Sequence, residues 1–149
     1  MRTFLLAGLL AVVAVSGPVR AQAAGARVTV FKSPTCGCCA KWVEHMKKAG
    51  FVLNVNDVPN VADVKTANHV PPALSSCHTA LVNGYVIEGH VPADVITKLL
   101  AERPAGVKGL AVPGMPMGSP GMEGDGSAKD HYSVMAFGMD GSAREYASR

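Results

Sequence analysis

Three of the chain's four cysteines, Cys36, Cys38 and Cys39, fall within four consecutive positions of the stretch S-P-T-C-G-C-C-A-K-W, residues 33–42. Cys36 and Cys39 make a C-x-x-C pair. The stretch follows a β-branched and aromatic run, Val28-Thr29-Val30-Phe31, and leads into helical periodicity, so the thiols belong to a strand-to-helix turn. The first turn of a helix has unpaired N–H groups, and the positive end of its dipole favours the thiolate. A free cysteine titrates near ~8.5, and this setting brings it down to roughly 3.5–7.5. Thiolate both attacks disulfides and binds soft metals. The stretch is therefore a redox or a metal site; in the redox case Cys36 attacks and Cys39 resolves the mixed disulfide.

The remaining cysteine, Cys77, opens the third predicted strand, on the side of the sheet where the first strand's C-terminal loop also ends. Four thiols are available if Cys77 approaches the turn. Alternatively Cys36 and Cys39 form a redox disulfide, leaving Cys38 and Cys77 as a second pair or as free thiols. A disulfide framework fits poorly, because staples stabilise more when they close long loops and these cysteines crowd together. Thiolates and thioethers select Cu(I), zinc or iron–sulfur. A structural zinc site usually shows two separated ligand pairs. Three crowded cysteines and one distant one better suit bridging thiolates that hold several Cu(I) ions. Met115, Met117 and Met122, in G-M-P-M-G-S-P-G-M, add thioether donors. His78 adds an imidazole beside Cys77, a donor suited to Cu(II); His45 follows the thiols on the first helix. His69, His90 and His131 lie outside any motif and are assigned nothing. Trp42 shields the site or packs on the sheet, and Met46 belongs to the core.

The elements that position these residues are legible in order. Arg27 to Lys32 reads as a strand; the apolar stripe Cys39, Val43, Met46 as a helix ending at Gly50, in the place of a left-handed cap; and Phe51 to Val55 as a second strand. Asn60 caps a short helix over residues 61–68. Residues 78–82 and 85–91 flank Asn83-Gly84, a two-residue hairpin signal. Pro92 opens a last helix, Ala93 to Glu102. This βαβ-α-ββα order, with a C-x-x-C at the first helix's N-terminus, resembles the thioredoxin-like α/β fold in its smallest form, over about residues 27–102. In that fold a cis-proline directly precedes the third strand; here Pro71 and Pro72 come five or six residues before Cys77. Residues 104–127 hold seven glycines and four prolines and read as a Gly/Pro/Met-rich loop. Tyr132 to Gly138 reads as one further, C-terminal strand, followed by a turn at Asp140-Gly141.

At the N-terminus, Arg2, an apolar run over residues 4–15 and Ala21-Gln22-Ala23 read as a cleavable secretory signal, residues 1–23. The thioredoxin-like domain then occupies 24–103, the loop 104–127, and the C-terminal strand and tail 128–149. Arg2 and Arg20 leave with the signal, so the formal charge falls from +3 to +1. With no Lys/Arg cluster there is no footprint for nucleic acid, and no later stretch is long and apolar enough for a membrane span.

The blocks F-K-S-P-T-C-G-C-C-A-K-W, A-G-F, V-P-P-A-L-S-S-C-H-T-A and I-E-G-H-V-P-A resemble those of the CopG-like family of exported thioredoxin-fold proteins linked to bacterial copper resistance. The resemblance implies Cu(I) bound by Cys36, Cys38, Cys39 and Cys77 as a thiolate cluster, with copper redox interconversion. The residue reading adds His78, Met115 and Met117 as metal ligands. The expectation is a periplasmic copper-binding protein whose partners are copper ions and other periplasmic copper-handling proteins. Thiol–disulfide oxidoreductase chemistry at Cys36 and Cys39, and passive metallochaperone action, are the competing classes.

Overall fold

The computed structural model describes residues 25–126 and 129–149; the signal segment and its cleavage site lie outside them. The chain runs β1 (Arg27–Lys32), α1 (Gly37–Lys48), β2 (Val52–Asp57), α2 (Val61–Ala67), a 3-10 turn (Pro72–Leu74), β3 (Thr79–Val82), β4 (Tyr85–Glu88), α3 (Ala93–Glu102), β5 (Gly109–Ala111), β6 (Ser133–Phe137) and β7 (Ala143–Ser148). The strands form one sheet in the order β2-β1-β3-β4-β5-β6-β7. β1 and β2 are parallel, joined by the α1 crossover; β3 runs antiparallel to β1, and β4 antiparallel to β3. This is the expected βαβ-α-ββα domain.

The start of α2 and the end of α1 form where the sequence carries the right residues. Asn60 Oδ1 accepts from Ala62 N at 3.0 Å, capping α2. Gly50, at φ +93°, takes the left-handed position that follows α1. On the surface of α1, Glu44 pairs with Lys47 at 2.8 Å rather than with Lys48, because three residues' spacing also brings side chains onto one face.

The alternation of the strands divides the core. Val28, Val30, Ile87, Leu110, Val134 and Ala136 pack with Trp42 and Met46 of α1 and with Ile96 and Leu99 of α3. Val86, Ala111 and Phe137 face the other way, with Val70 and Leu74. The sheet extends further than a single C-terminal strand would take it. Residues 109–111, read as part of a coreless loop, form β5, and Asp140-Gly141 turns the chain back into β7, which the sequence reading did not foresee. Leu110, Ala111 and Val112 are wholly buried. The local Gly and Pro content hid them, because a three-residue strand leaves too little alternation to detect.

One buried ion pair ties α2 to the hairpin. Glu88, at the end of β4, accepts from Lys65 Nζ at 2.5 Å, from the Ser76 N–H at 2.6 Å and from Thr79 Oγ1 at 2.7 Å. Burial pushes its carboxyl up from the ordinary range, against the opposing pull of Lys65 and the donors. Its bond to Ser76 fixes the backbone next to Cys77. Glu88→Gln keeps the shape but places Lys65 beside a neutral amide. We expect unfolding free energy to fall by about 2–3 kcal/mol, read by urea titration with an unchanged m-value. A loss under about 0.5 kcal/mol would make the pair no better than an exposed one.

Candidate metal centre

Four segments emerge at one end of the sheet. The cysteine turn follows β1. Because β3 is antiparallel to β1, with Phe31 opposite Thr79, the residues preceding β3 arrive at the same end. β4 is antiparallel to β3 and β5 parallel to β4, so residues 89–91 and the Gly/Met-rich loop leave from there too. In open α/β sheets this carboxyl end of the parallel strands is where ligands bind.

On the turn, Cys36 caps α1: its Sγ accepts from the Cys39 N–H at 3.4 Å. Cys36 and Cys39 form a disulfide, and Cys38 and Cys77 are free thiols. Cys38 Sγ lies 3.5 Å from Cys36 Sγ. The sulfurs of Cys36, Cys38, Cys39 and Cys77 all lie within 4.8 Å of one another. Cys77 thus does approach the turn. It occupies the segment just before β3 where the related fold has its proline, while Pro71 and Pro72 lie at the 3-10 turn farther back.

Cys77 has two imidazole neighbours. His90 Nε2 is 2.9 Å from its Sγ and His78 Nδ1 3.4 Å. His90 Nδ1 is 2.8 Å from the Pro120 carbonyl. A carbonyl oxygen only accepts, so Nδ1 carries the proton and Nε2 presents a lone pair to Cys77. Burial pushes the Cys77 thiol up to about 12, with the neighbouring Cys38 adding to the shift. Burial likewise holds His78 well below the ordinary imidazole range, helped by His90 and Lys65, and lowers His90 against the Pro120 bond and Glu123. The pocket therefore holds a protonated thiol facing neutral rings, and a metal ion entering there displaces the thiol proton.

The Gly/Met-rich segment is packed onto this site. Turns bond it to itself, with Gly118 N to Met122 O at 2.8 Å and Met122 N to Ser119 O at 2.8 Å. Ser119 is wholly buried. Gly121, at φ +90°, lies so close to α1 that a Cβ there would sit 2.6 Å from the Cys38 carbonyl oxygen and 2.9 Å from Trp42 N. Only glycine allows that approach, which sets the Pro120 carbonyl on His90. Met117 and Met122 line a groove of about 300 Å³ with Gly37, Cys38 and Lys41. Met115 is 52% exposed and does not line that groove.

Other residues take supporting parts. Trp42 is wholly buried, donates to the Val91 carbonyl at 2.9 Å and lies 4.5 Å, ring to ring, from His78. It both packs on the sheet and walls the site. His45 Nε2 accepts from Ala93 N at 3.1 Å, satisfying the start of α3. Met46 is core. His90 is the residue that the sequence reading passed over. The hairpin register could have found it: Val82 pairs with Tyr85 and Thr79 with Glu88. Continued two residues beyond the ladder, that register sets Cys77 opposite His90, and Gly89 N indeed donates to His78 O at 2.9 Å.

A family described as "Protein of unknown function, DUF411" matches residues 74–122, the span carrying Cys77, His78, His90 and the loop. No curated protein matches the chain. Two solved structures are similar. "Copper resistance protein copG- Form 2" is 38% identical with a TM-score of 0.79, over 84% of this chain and 98% of that one. "Copper resistance protein copG- Form 1" is 39% identical with a TM-score of 0.77, over 83% and 96%. Identity at that level, sustained over nearly the whole of both relatives and through a shared fold, makes this chain a member of the CopG copper-resistance family.

Proposed function

We propose that the chain is a periplasmic copper-binding protein that contributes to copper resistance by holding Cu(I) ions on the thiolates of Cys36, Cys38, Cys39 and Cys77. The observation that carries this reading is the meeting of all four sulfurs within 4.8 Å at the end of the sheet. Once the Cys36–Cys39 bond is reduced, thiolates that close together bridge ions instead of each holding its own, and soft sulfur prefers monovalent copper. His78 borders the cluster. Met117, in the groove beside Cys38, is the entry donor; Met115 acts where the loop meets a delivering partner. Copper ions and other periplasmic copper-handling proteins are the partners of this reading, and export on the N-terminal signal supplies the compartment.

The Cys36–Cys39 disulfide is one end of a two-electron couple. The reduced dithiol gives one electron to each of two Cu(II) ions, leaving the disulfide, two Cu(I) ions and two protons. The same disulfide, at a helix N-terminus and with Cys36 partly accessible, favours a second reading, thiol–disulfide exchange with Cys36 attacking and Cys39 resolving. Copper binding and insulin reduction separate the two: rapid disulfide turnover by a chain that takes up no copper belongs to the second.

Reduced anaerobically and titrated with Cu(I) against a chromophoric chelator, the chain should bind several ions. Cys77→Ser should weaken that binding by at least roughly 100-fold; unchanged stoichiometry and affinity in that variant would remove the cluster. Mixing the reduced chain with Cu(II) should bleach two equivalents of the Cu(II) electron paramagnetic resonance signal for each Cys36–Cys39 disulfide found by peptide mapping. A persistent signal, or bleaching without that disulfide, counts against the redox step. Replacing Met117 with Leu should slow Cu(I) uptake in stopped flow and leave the final stoichiometry intact, as expected of an entry donor.

A further inference from the structure

A second donor set sits beside the thiolates. The ligand atoms of Cys77, His78 and His90 lie within 4.8 Å of one another, and neither Cys36 nor Cys39 belongs to the set. Both imidazoles are wholly buried. The His90 ring is oriented from behind: the Pro120 carbonyl accepts a hydrogen bond from its Nδ1–H at 2.8 Å, which leaves the Nε2 lone pair aimed at Cys77 Sγ. A carbonyl behind a histidine that fixes its tautomer is the usual support of a metal ligand. Two features hold that carbonyl in place, the buried Ser119 and the close approach of Gly121 to Cys38 and Trp42.

His78 supplies the independent sign. Its Nδ1 faces the same sulfur at 3.4 Å, and its Nε2 is buried with no hydrogen-bond partner among the described residues. Burying an unsatisfied ring nitrogen costs free energy, and a native chain keeps one where a ligand takes it up. Nδ1 is the nitrogen that faces Cys77, so it offers the lone pair to an ion held there, and its present contact with the thiol gives way as the thiol proton leaves. The ring of His90 stands nearly perpendicular to that of His78, 5.2 Å between centroids, so the two do not stack face to face.

We propose that Cys77, His78 and His90 form a mixed sulfur–nitrogen site that takes one borderline divalent cation while the Cys36–Cys39 disulfide is closed. Two imidazoles and one thiolate suit Cu(II) or Zn(II) better than Cu(I), for which an all-sulfur set competes more strongly. The ion replaces the Cys77 thiol proton, one proton released per cation bound. Cys38, whose sulfur is also within 4.8 Å of that of Cys77, is placed as a fourth donor. The site uses the oxidised chain, so it stands or falls apart from the Cu(I) cluster of the reduced one.

Zn(II) is the probe, since it is redox-inert and leaves the disulfide and the free thiols as they are. The disulfide-closed chain, with Cys38 and Cys77 verified as free thiols, should bind one Zn(II) in competition with a chromophoric chelator. X-ray absorption of the loaded wild-type chain should show imidazole nitrogen at about 2.0–2.1 Å together with sulfur near about 2.3 Å. His90→Gln and His78→Gln should each weaken Zn(II) binding by roughly 10-fold or more, with near-ultraviolet circular dichroism checking the fold. The wild-type spectrum needs no variant, so a misfolded substitution does not shield the proposal. A shell of sulfur alone, a shell of oxygen and nitrogen without sulfur, or no Zn(II) bound by the disulfide-closed chain overturns it. Loss of Cu(I) binding by the reduced chain, with the mixed shell intact, overturns the cluster and leaves this site standing.

Discussion

The antiparallel pairing of β1 with β3 is the constraint on which the site depends. Phe31 faces Thr79, so the chain leaving β1 and the chain entering β3 occupy the same end of the sheet. Cysteines separated by about forty positions in sequence meet only through that register. A slip of one residue would carry Cys77 about 3.3 Å along the strand and turn its side chain to the opposite face. The buried positions forbid the slip. Val28, Val30, Ala80 and Val82 alternate into the core, and a shift would drive them toward the other layer while bringing Thr79 and Leu81 inward.

Register alone brings backbone near backbone; side-chain direction needs further support. Glu88 provides it on one side by binding the Ser76 amide, and the Gly/Met-rich segment provides it on the other. There the Ser76 hydroxyl donates to the Gly114 carbonyl, and Gly114 N donates to Ser75 O at 3.3 Å. Gly89, at φ +71°, would place a Cβ 2.4 Å from Ser76 Oγ, so the β4 exit can lie against this segment only as glycine. The thiol-bearing segment is thus clamped between a buried carboxylate and a loop. Clamping matters for metal binding because ligands already in place lose little conformational freedom when the ion arrives.

Much of this was legible in the sequence because it rests on local chemistry. The C-x-x-C turn, the Asn60 cap, the Asn83-Gly84 hairpin and the stripes of α1 and α3 each announce themselves within a few residues. The loop was legible only in part. Its glycines signal turns, but the turn signal does not show that Gly121 serves to permit a close contact with α1. β5 and β7 escaped for a different reason: their strand character comes from pairing with β4 and β6, and that information lies in the partner. His90 stands in the I-E-G-H-V-P-A block, which by itself gives it no role, although the two-residue turn that aligns β3 with β4 already fixed its position opposite Cys77. Met115 and Met117 show the limit of composition as a guide, since two methionines two residues apart face different surroundings.

Cys77 belongs to both donor sets, and this has a chemical consequence for the proposed reading. When the Cys36–Cys39 bond is closed, two sulfurs are withdrawn and the donors left around Cys77 are imidazoles and one further thiol, a set that favours the divalent ion. When that bond opens, two thiolates enter at the positive end of α1 and the balance moves toward monovalent copper. The oxidation state of the protein and the oxidation state of the copper it holds most tightly are then linked through one shared sulfur. The link is reciprocal: an ion that prefers the thiolate-rich form also makes the disulfide easier to reduce. A thioredoxin-like scaffold suits this task because its helix N-terminus stabilises thiolates whether or not a metal is present, so the dithiol and the metal sites share one set of supports.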